Sequence, residues 1–382
     1  MGIADIVAIA GLLSWLYLVI KPGRFWQPLL FVSPELPRAS WPDIDIIVPA
    51  RNEAKVLPHS LPTWLTQDYP GNFRVMLVDD HSDDGTTATA QKLADELGAS
   101  GRLSVVPAPD LPAGWSGKVA AMQAGIAQTH APLILFTDAD IAHPPQSLRQ
   151  LVLRAELRDL ALVSQMVKLR CESVAEKLLI PAFVFFFAML YPFRLANRPD
   201  SKVAAAAGGV ILARRTALDA IGGLAVIKSE LIDDCALAKA IKQKGGGDGK
   251  GGRIELTLSN HVRSLRAYPQ IEDVWNMVAR TAYVQLRRSP WRLAGCVAGM
   301  LVMFAAPLLI VLGSGAFSIL AGAVIWIVMT LLYLPTVSYY GLEKFWALTL
   351  PAAACVYIGA TIDSALKTWR GQGGQWKGRT QD

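Results

Sequence analysis

Two hydrophobic rhythms divide this chain. In its middle, short β-branched runs recur at 43–48 (DIDIIV), 73–78 (FRVMLV), 103–106 (LSVV) and 133–136 (LILF), and between them apolar residues return at helical spacing over 86–97 and 118–128. Strands alternating with helices predict an α/β fold, with a mostly parallel sheet covered by helices on both faces. Ligands of such sheets bind outside the carboxyl ends of the strands. The polar clusters of this chain follow directly on these runs.

At both ends the rhythm gives way to unbroken apolar stretches. Residues 3–20 are apolar apart from Asp5 and Ser14. The cations Lys21 and Arg24 follow this run rather than precede it, and there is no clear small-residue cleavage site, so a membrane anchor (1–22) is expected in preference to a signal peptide. Runs at 293–312 and 317–337 each reach the roughly 20 residues a span requires, and Gly-Ser-Gly at 313–315 predicts a turn between them. A weaker run covers 345–362. If that run spans, it carries the basic tail (364–382) to the side that the positive-inside rule disfavours; three C-terminal spans over 293–363 are expected, with one of them re-entrant as the alternative. Within the middle region (40–290), the stretch 178–193 is strongly apolar but short and holds Pro181 and Pro192. Phe183, Phe185, Phe186 and Phe187 cover more than one helix face, which favours an interfacial segment over a buried core helix. The glycine-rich 245–252 precedes a strand-like run, not a helix, and is expected to be a flexible turn rather than a phosphate loop.

Charge and composition sharpen this picture. Only 18% of the 382 residues are charged, and the net charge is +6, from 37 Lys and Arg against 31 Asp and Glu. The cations do not form a stripe interleaved with aromatics but cluster beside the apolar runs, as with Arg287, Arg288 and Arg292. That pattern points to lipid headgroups and away from nucleic acid. The four cysteines, Cys171, Cys235, Cys296 and Cys355, are far apart and form no CxxC pair, which suits a reducing cytoplasmic setting for the middle domain. The expected location is an inner cell membrane, with several passes.

Five polar clusters carry the candidate chemistry. Val48-Pro49-Ala50-Arg51-Asn52-Glu53 opens a loop that suits either a nucleotide or a solvated turn. In Asp79-Asp80-His81-Ser82-Asp83-Asp84-Gly85-Thr86, four carboxylates fall within six positions; Asp83 and Asp84 read as a turn into a helix, whereas Asp79 or Asp80 suits a base or ribose. Gly114-Trp115-Ser116-Gly117-Lys118 opens a helix and suits a diphosphate, although Val119 replaces the Ser or Thr of a full P-loop. In Thr137-Asp138-Ala139-Asp140, two carboxylates share one face of an extended segment and can meet one Mg²⁺ or Mn²⁺. Asp233 and Asp234 head a helix; one suits the cap and the other a general base whose pKa is raised by its neighbour.

In this order VPARNE, VDDHSDDGT, GWSGK, TDAD, AGGVILARR and IDD resemble glycosyltransferase family 2, inverting enzymes of GT-A (Rossmann-like) fold. RLSVVP, KLRCES, IPAFVFFFAMLYPFR and LIDDCALA are most similar to the hopene-associated glycosyltransferases of bacterial hopanoid synthesis. The resemblance implies a nucleotide-sugar donor and a membrane lipid acceptor. It places Asp79 or Asp80 at the nucleotide base with Arg51 and Glu53 nearby, Lys118 by the diphosphate, Asp138 and Asp140 at nucleotide and divalent cation, Asp234 (paired with Asp233) as the base, and Gly208 and Gly209 on the acceptor side. The processive polysaccharide synthases of this superfamily carry QxxRW. Here Gln285-Leu286-Arg287-Arg288 is followed by Ser289, so single transfer is expected rather than polymerisation, with Gln285 and Arg288 still available to the acceptor or to lipid phosphates.

Overall fold

The computed structural model describes residues 2–33, 40–305, 307, 315–373, 375–376 and 379–380. In chain order the elements are α1 (Ile3–Ile20), β1 (Ile44–Ala50), α2 (Leu57–Leu65), β2 (Phe73–Asp79), α3 (Thr86–Glu96), β3 (Leu103–Pro107), α4 (Gly117–Ala127), β4 (Leu133–Thr137), β5 (Ile141–Ala142), α5 (Ser147–Leu157) and β6 (Leu162–Lys168). They continue with α6 (Val174–Leu190), α7 (Phe193–Ala196), β7 (Val210–Arg214), α8 (Arg215–Ala220), α9 (Asp233–Lys244), β8 (Ile254–Ser264), α10 (Ile271–Ala279), α11 (Ala282–Gln285), α12 (Pro290–Met300), α13 (Ala316–Tyr339) and α14 (Leu350–Trp369).

These elements form two compact units. One comprises residues 29–170, 195–266 and 376–382, and the other residues 1–28, 171–194 and 267–375. The division therefore differs from the expected 40–290: the apolar stretch 178–193 and residues 267–290 belong with the end helices.

The first unit is built on an eight-stranded sheet of order β3-β2-β1-β4-β7-β6-β8-β5. The four strands legible in the sequence form a parallel run, β3-β2-β1-β4, and β6 pairs parallel with β8. Strand β7 then enters antiparallel between β4 and β6, so the sheet is mixed. Side chains pack on both faces because both are covered. Ile44, Ile46 and Val48 bury against α2 and α5 residues such as Leu61, Trp64 and Leu151, and Ile47, with Ile134 and Phe136, buries against Val119 and Met122 of α4. All seven residues of β1 are buried, which fits a central strand of a doubly covered sheet.

The order also fixes where the sheet opens. From β1 the chain moves outward through β2 to β3, then returns to place β4 on β1's other side, making β1/β4 the topological switch point. Pairing between them ends at Ile47 with Phe136, while β1 continues through Pro49 to Ala50 along β2. Pro49 has no N–H to donate to a ladder, so the strands are free to part there. Every carboxyl-terminal motif emerges around that opening.

Among the described residues of the second unit, three helices are long and apolar enough to cross a membrane: α1, α13 and the stretch Lys344–Trp369 that contains α14. The run expected at 293–312 begins as α12 and continues as one π-helical turn, Leu301–Ala305; much of its remainder, and residues 313–314 of the expected turn, lie outside the described residues. Most of the basic tail beyond 373 also lies outside them. The stretch 178–193 forms most of α6, which starts with a capping box of Ser173 and Glu176 and buries Leu179, Ile180 and Phe185.

Candidate active site

The first two motifs fold as one piece. The Arg51 guanidinium donates to the Asp80 carbonyl at 2.7 Å and lies 3.6 Å from the Asp80 carboxylate. The Asn52 amide N–H donates to Ser82 Oγ, and Asn52 Oδ1 accepts from the Asp83 N–H. The Glu53 N–H donates to Thr86 Oγ1 and the Ala54 N–H to Asp84 Oδ2. Asn52 and His81 both sit at φ 55°, the left-handed region that short polar residues tolerate best. Asp79 is spent inside this loop: its Oδ1 accepts from Ser82 and its Oδ2 from Thr87. Asp84 likewise holds the turn into α3, as expected. Asp80 is buried, with His81 Nδ1 3.2 Å from its Oδ1.

Across the opening, a second group forms around one ammonium. Ser116 caps α4 by accepting from the Val119 N–H, and this starts the helix so that Lys118 projects from its first turn. The Lys118 Nζ lies 2.8 Å from Asp138 Oδ1, at the end of β4, and 3.5 Å from Asp233 Oδ2, in the first turn of α9. Burial alone would lower the Lys118 pKa, but the charges of Asp138 and Asp233 outweigh it and keep the amine protonated. Asp234 completes the group. Its Oδ2 accepts from the Gly208 N–H at 2.9 Å and its Oδ1 from the Cys235 N–H at 2.7 Å. Its pKa is raised to about 6 by burial first and by the Asp233 charge second, against the pull of Lys118 and the two amides. Three carboxylates thus share one ammonium, so the group retains net negative charge.

Gly208 lies at the centre of this arrangement. A Cβ there would stand 3.1 Å from Lys118 Nζ, 3.6 Å from Asp234 Oδ2 and 3.8 Å from Asp138 Oδ2. Gly209 plays a packing part: a Cβ would meet Val167 Cγ1 at 2.8 Å. Asp140 stands apart from Lys118. Its Oδ2 accepts from Ser264 Oγ at 3.2 Å and lies 3.5 Å from Arg266. Burial and then the Asp138 charge raise its pKa, and Arg266 opposes them.

A divalent cation fits this chemistry in part. The available donors are carboxylate oxygens, which hard cations prefer. Among the described residues, no three His, Cys, Asp or Glu side chains form a ready cage. The protein would therefore supply one or two carboxylates, with substrate oxygens and water as the remaining ligands.

Some supporting residues carried no signal in the sequence. Thr137 Oγ1 donates to the Gly209 carbonyl at 2.8 Å and so accepts from His143 Nε2 at 3.0 Å, while His143 Nδ1 faces Ser147 Oγ. Burial lowers the His143 pKa to about 3, so the ring is neutral. This relay ties the end of β4 to the Gly208–Gly209 turn 72 residues away. Of the remaining expected residues, Gln285 and Arg288 belong to the helical unit, where Gln285 Nε2 donates to the Tyr191 hydroxyl at 2.6 Å and Arg288 sits at φ 52°. Arg214 and Arg215 of AGGVILARR are structural, donating to the backbone carbonyls of Leu160 and of Thr129 and Ala131.

Known proteins resemble this chain in sequence and in fold. The family model described as Glycosyl transferase family 2 matches residues 45–222, which contain four of the five clusters. An N-acetylglucosaminyltransferase of Rhizobium leguminosarum bv. trifolii is 32% identical over 138 residues, 35% of this chain and 72% of that protein. The chain belongs to glycosyltransferase family 2. An undecaprenyl-phosphate 4-deoxy-4-formamido-L-arabinose transferase of Pseudomonas syringae pv. syringae (strain B728a) is 30% identical over 115 residues; the match spans 30% of this chain and 32% of that relative. Among solved structures, a mannosyltransferase of Pyrobaculum calidifontis in complex with GDP-Man and Mn²⁺ superposes with a TM-score of 0.54 at 18% identity, covering 96% of this chain and 99% of that one, a likeness of fold. This family 2 glycosyltransferase therefore pairs a GT-A-like domain with helices long enough to cross a bilayer.

Proposed function

We propose that this glycosyltransferase moves a sugar from a nucleotide-diphosphate sugar, a UDP-sugar by preference, to a hydroxyl of a membrane lipid, with inversion at the anomeric carbon. The observation that carries this reading is the convergence of Asp138, Asp233 and Asp234 on Lys118 beside Gly208, where there is no side chain to obstruct a ligand. The nucleotide would lie along the zipped Arg51–Asp80 loops, with Pro49 and Glu53 in the walls. Asp138 and Asp140 would hold Mg²⁺ or Mn²⁺, which supplies charge neutralisation for the departing diphosphate. The Mn²⁺ and GDP-Man bound to the Pyrobaculum mannosyltransferase lend support on fold alone.

In the transfer, the acceptor oxygen forms a bond to the anomeric carbon as the bond from that carbon to the diphosphate oxygen breaks. The acceptor proton passes to Asp234, and the electron pair leaves with the nucleoside diphosphate. A carboxylate with a pKa near 6 is a stronger base than an exposed aspartate and is still ionised at neutral pH. The amides of Gly208 and Cys235 each engage one Asp234 oxygen and fix the carboxylate, leaving a lone pair on each oxygen for the proton. Lys118 offsets the charge of the unreacted cluster and stands ready for a phosphate oxygen.

A lipid acceptor is supported by the apolar helices and by the undecaprenyl-phosphate transferase relative. Within that class the sequence resemblance favours a polycyclic hopanoid. The catalytic domain would face the cytoplasm of a multi-pass inner-membrane protein, since Lys21 and Arg24 follow α1 directly. The deciding experiment incubates purified protein with UDP- and GDP-sugars, Mg²⁺ or Mn²⁺, and membranes with and without hopanoid, and reads products by mass spectrometry. A singly glycosylated lipid is expected; a long polymer would replace this reading with a processive synthase.

A further inference from the structure

By length and composition, Lys344–Trp369 counts as a third membrane-crossing helix. Its packing within the helical unit argues otherwise. Helices α1 and α13 run parallel: Ser318 Oγ donates to Asp5 Oδ1 at 2.7 Å near their first turns, and a Cβ on Gly11 would meet Ile325 Cδ1 at 2.8 Å near their middles. Just beyond α1, the Phe25 ring meets Phe185, which in turn meets Tyr333 in the second half of α13; both ring pairs are 5.2 Å apart. The end of α1 and the end of α13 therefore lie at one end of the unit.

Helix α14 follows the same direction. Beside the middle of α13, Trp326 Nε1 donates to the Leu348 carbonyl at 3.2 Å. Further along, Phe185 meets Tyr333 while its neighbour Phe186 meets Tyr357 of α14. As α13 advances from Trp326 to Tyr333, its surroundings on the next segment advance from Leu348 to Tyr357. Helix from Trp326 to the end of α13 at Tyr339 measures about 20 Å at 1.5 Å per residue. The chain covers much of that height in reverse between Tyr340 and Leu348, partly as the 3₁₀ helix Lys344–Thr349, before α14 begins. Two consecutive parallel helices joined by so short a return cannot both cross.

The cations agree. No Lys or Arg occurs in residues 2–20 or 293–343. At the other end stand Lys21, Arg24, Arg287, Arg288 and Arg292, and there the end of α14 arrives. Ala365 clusters with Tyr283 and Leu293, and Trp369 Nε1 donates to the Tyr283 hydroxyl at 3.2 Å. Lys367 and Arg370 thereby join that cationic end, flanked by exposed Trp291 and Trp369, the side chains expected where headgroups meet water.

We propose that α14 is a re-entrant helix, not a further crossing, and that the C-terminal residues leave the bilayer on the face where α1 ends, with Lys367 and Arg370 seated among anionic lipid headgroups. This rests on α1 and α13 lying in a bilayer, and its test reads topology alone, independent of transferase activity. Single cysteines are introduced as Gly2→Cys, Gln27→Cys and Gln372→Cys after Cys171, Cys235, Cys296 and Cys355 are replaced by serine. Each variant is exposed to a membrane-impermeant maleimide in right-side-out and inverted vesicles. Gln372→Cys should react in the same vesicles as Gln27→Cys and opposite to Gly2→Cys. Reaction in the same vesicles as Gly2→Cys would overturn the proposal, and so would identical reaction of Gly2→Cys and Gln27→Cys, which would remove the bilayer premise. Should the cysteine-free chain fail to accumulate, an epitope tag after Asp382 on the unaltered chain gives the same answer by protease protection. Digestion from the face of the catalytic domain is expected, and digestion from the opposite face refutes the re-entrant helix.

Discussion

Replacing Lys118 by methionine removes the single ammonium from a group of three carboxylates while keeping the length of the side chain. At the observed 2.8 Å and 3.5 Å, and an effective dielectric of about 20, each ion pair represents roughly 5–6 kcal/mol of gross attraction. Desolvation of both partners cancels most of that, and breaking a buried pair by removing one partner typically costs about 3–5 kcal/mol. Asp138 retains 36% exposure of its side chain, so solvent screens part of the loss and about 2–3 kcal/mol is the reasoned figure. For a folding unit of roughly 150–250 residues, the range of the sheet-bearing unit, that is a fall in Tm of about 4–12 °C at neutral pH. The sign with pH follows from the carboxylates. Lys118 holds the raised pKa of Asp234 down, so without the ammonium it rises further above its unfolded value, and the stability of the variant is full at low pH and is lost as pH rises through that raised value. The Tm gap to wild type should therefore narrow from pH 8 to pH 5, and Mn²⁺ should narrow it at pH 8. Thermal unfolding in detergent, followed by thiol-reactive or tryptophan fluorescence, measures this. A Lys118→Met protein with wild-type Tm at every pH would refute the claim that these carboxylates depend on that ammonium.

Other expectations follow from the same geometry. Asp234→Asn should lower kcat by roughly 10²–10⁴ with little change in donor affinity, as steady-state kinetics would record. In the wild type, kcat/KM should fall as pH drops through about 6, because protonated Asp234 cannot accept a proton, and this limb should be absent from the residual activity of Asp234→Asn. Gly209→Ala drives a Cβ to 2.8 Å from Val167 and should cost about 1–3 kcal/mol in denaturant unfolding. Gly208→Ala meets only flexible side-chain tips and should spare stability more than activity.

Much of this architecture is legible in the amino-acid sequence, and the reason lies in how local the signals are. β-Branched runs and helical spacing place β1 to β4, and the polar residues after each strand have to emerge at one edge of a parallel sheet. Long-range pairings carry no such local mark. Nothing near Val210 announces that β7 runs antiparallel between β4 and β6, because its burial on both faces reads the same in either direction. The relay from His143 through Thr137 to Gly209 joins residues whose neighbours in sequence are unremarkable. Lys118 was expected at a diphosphate; its ion pairs with Asp138 and Asp233 depend on where α9 begins, which the spacing of Asp233 and Asp234 leaves open. The weak apolar run at 345–362 satisfies a length rule for spanning, while direction depends on packing against α13 and α6.

The most direct test of the account is single-turnover transfer from the productive UDP-sugar to its lipid acceptor by wild type, Asp234→Asn and Asp138→Asn, with sugar-lipid and released nucleoside diphosphate quantified together. The account predicts stoichiometric formation of both by wild type, loss of transfer with donor still bound in Asp234→Asn, and weakened donor binding in Asp138→Asn. Transfer at wild-type rates by both variants would contradict it.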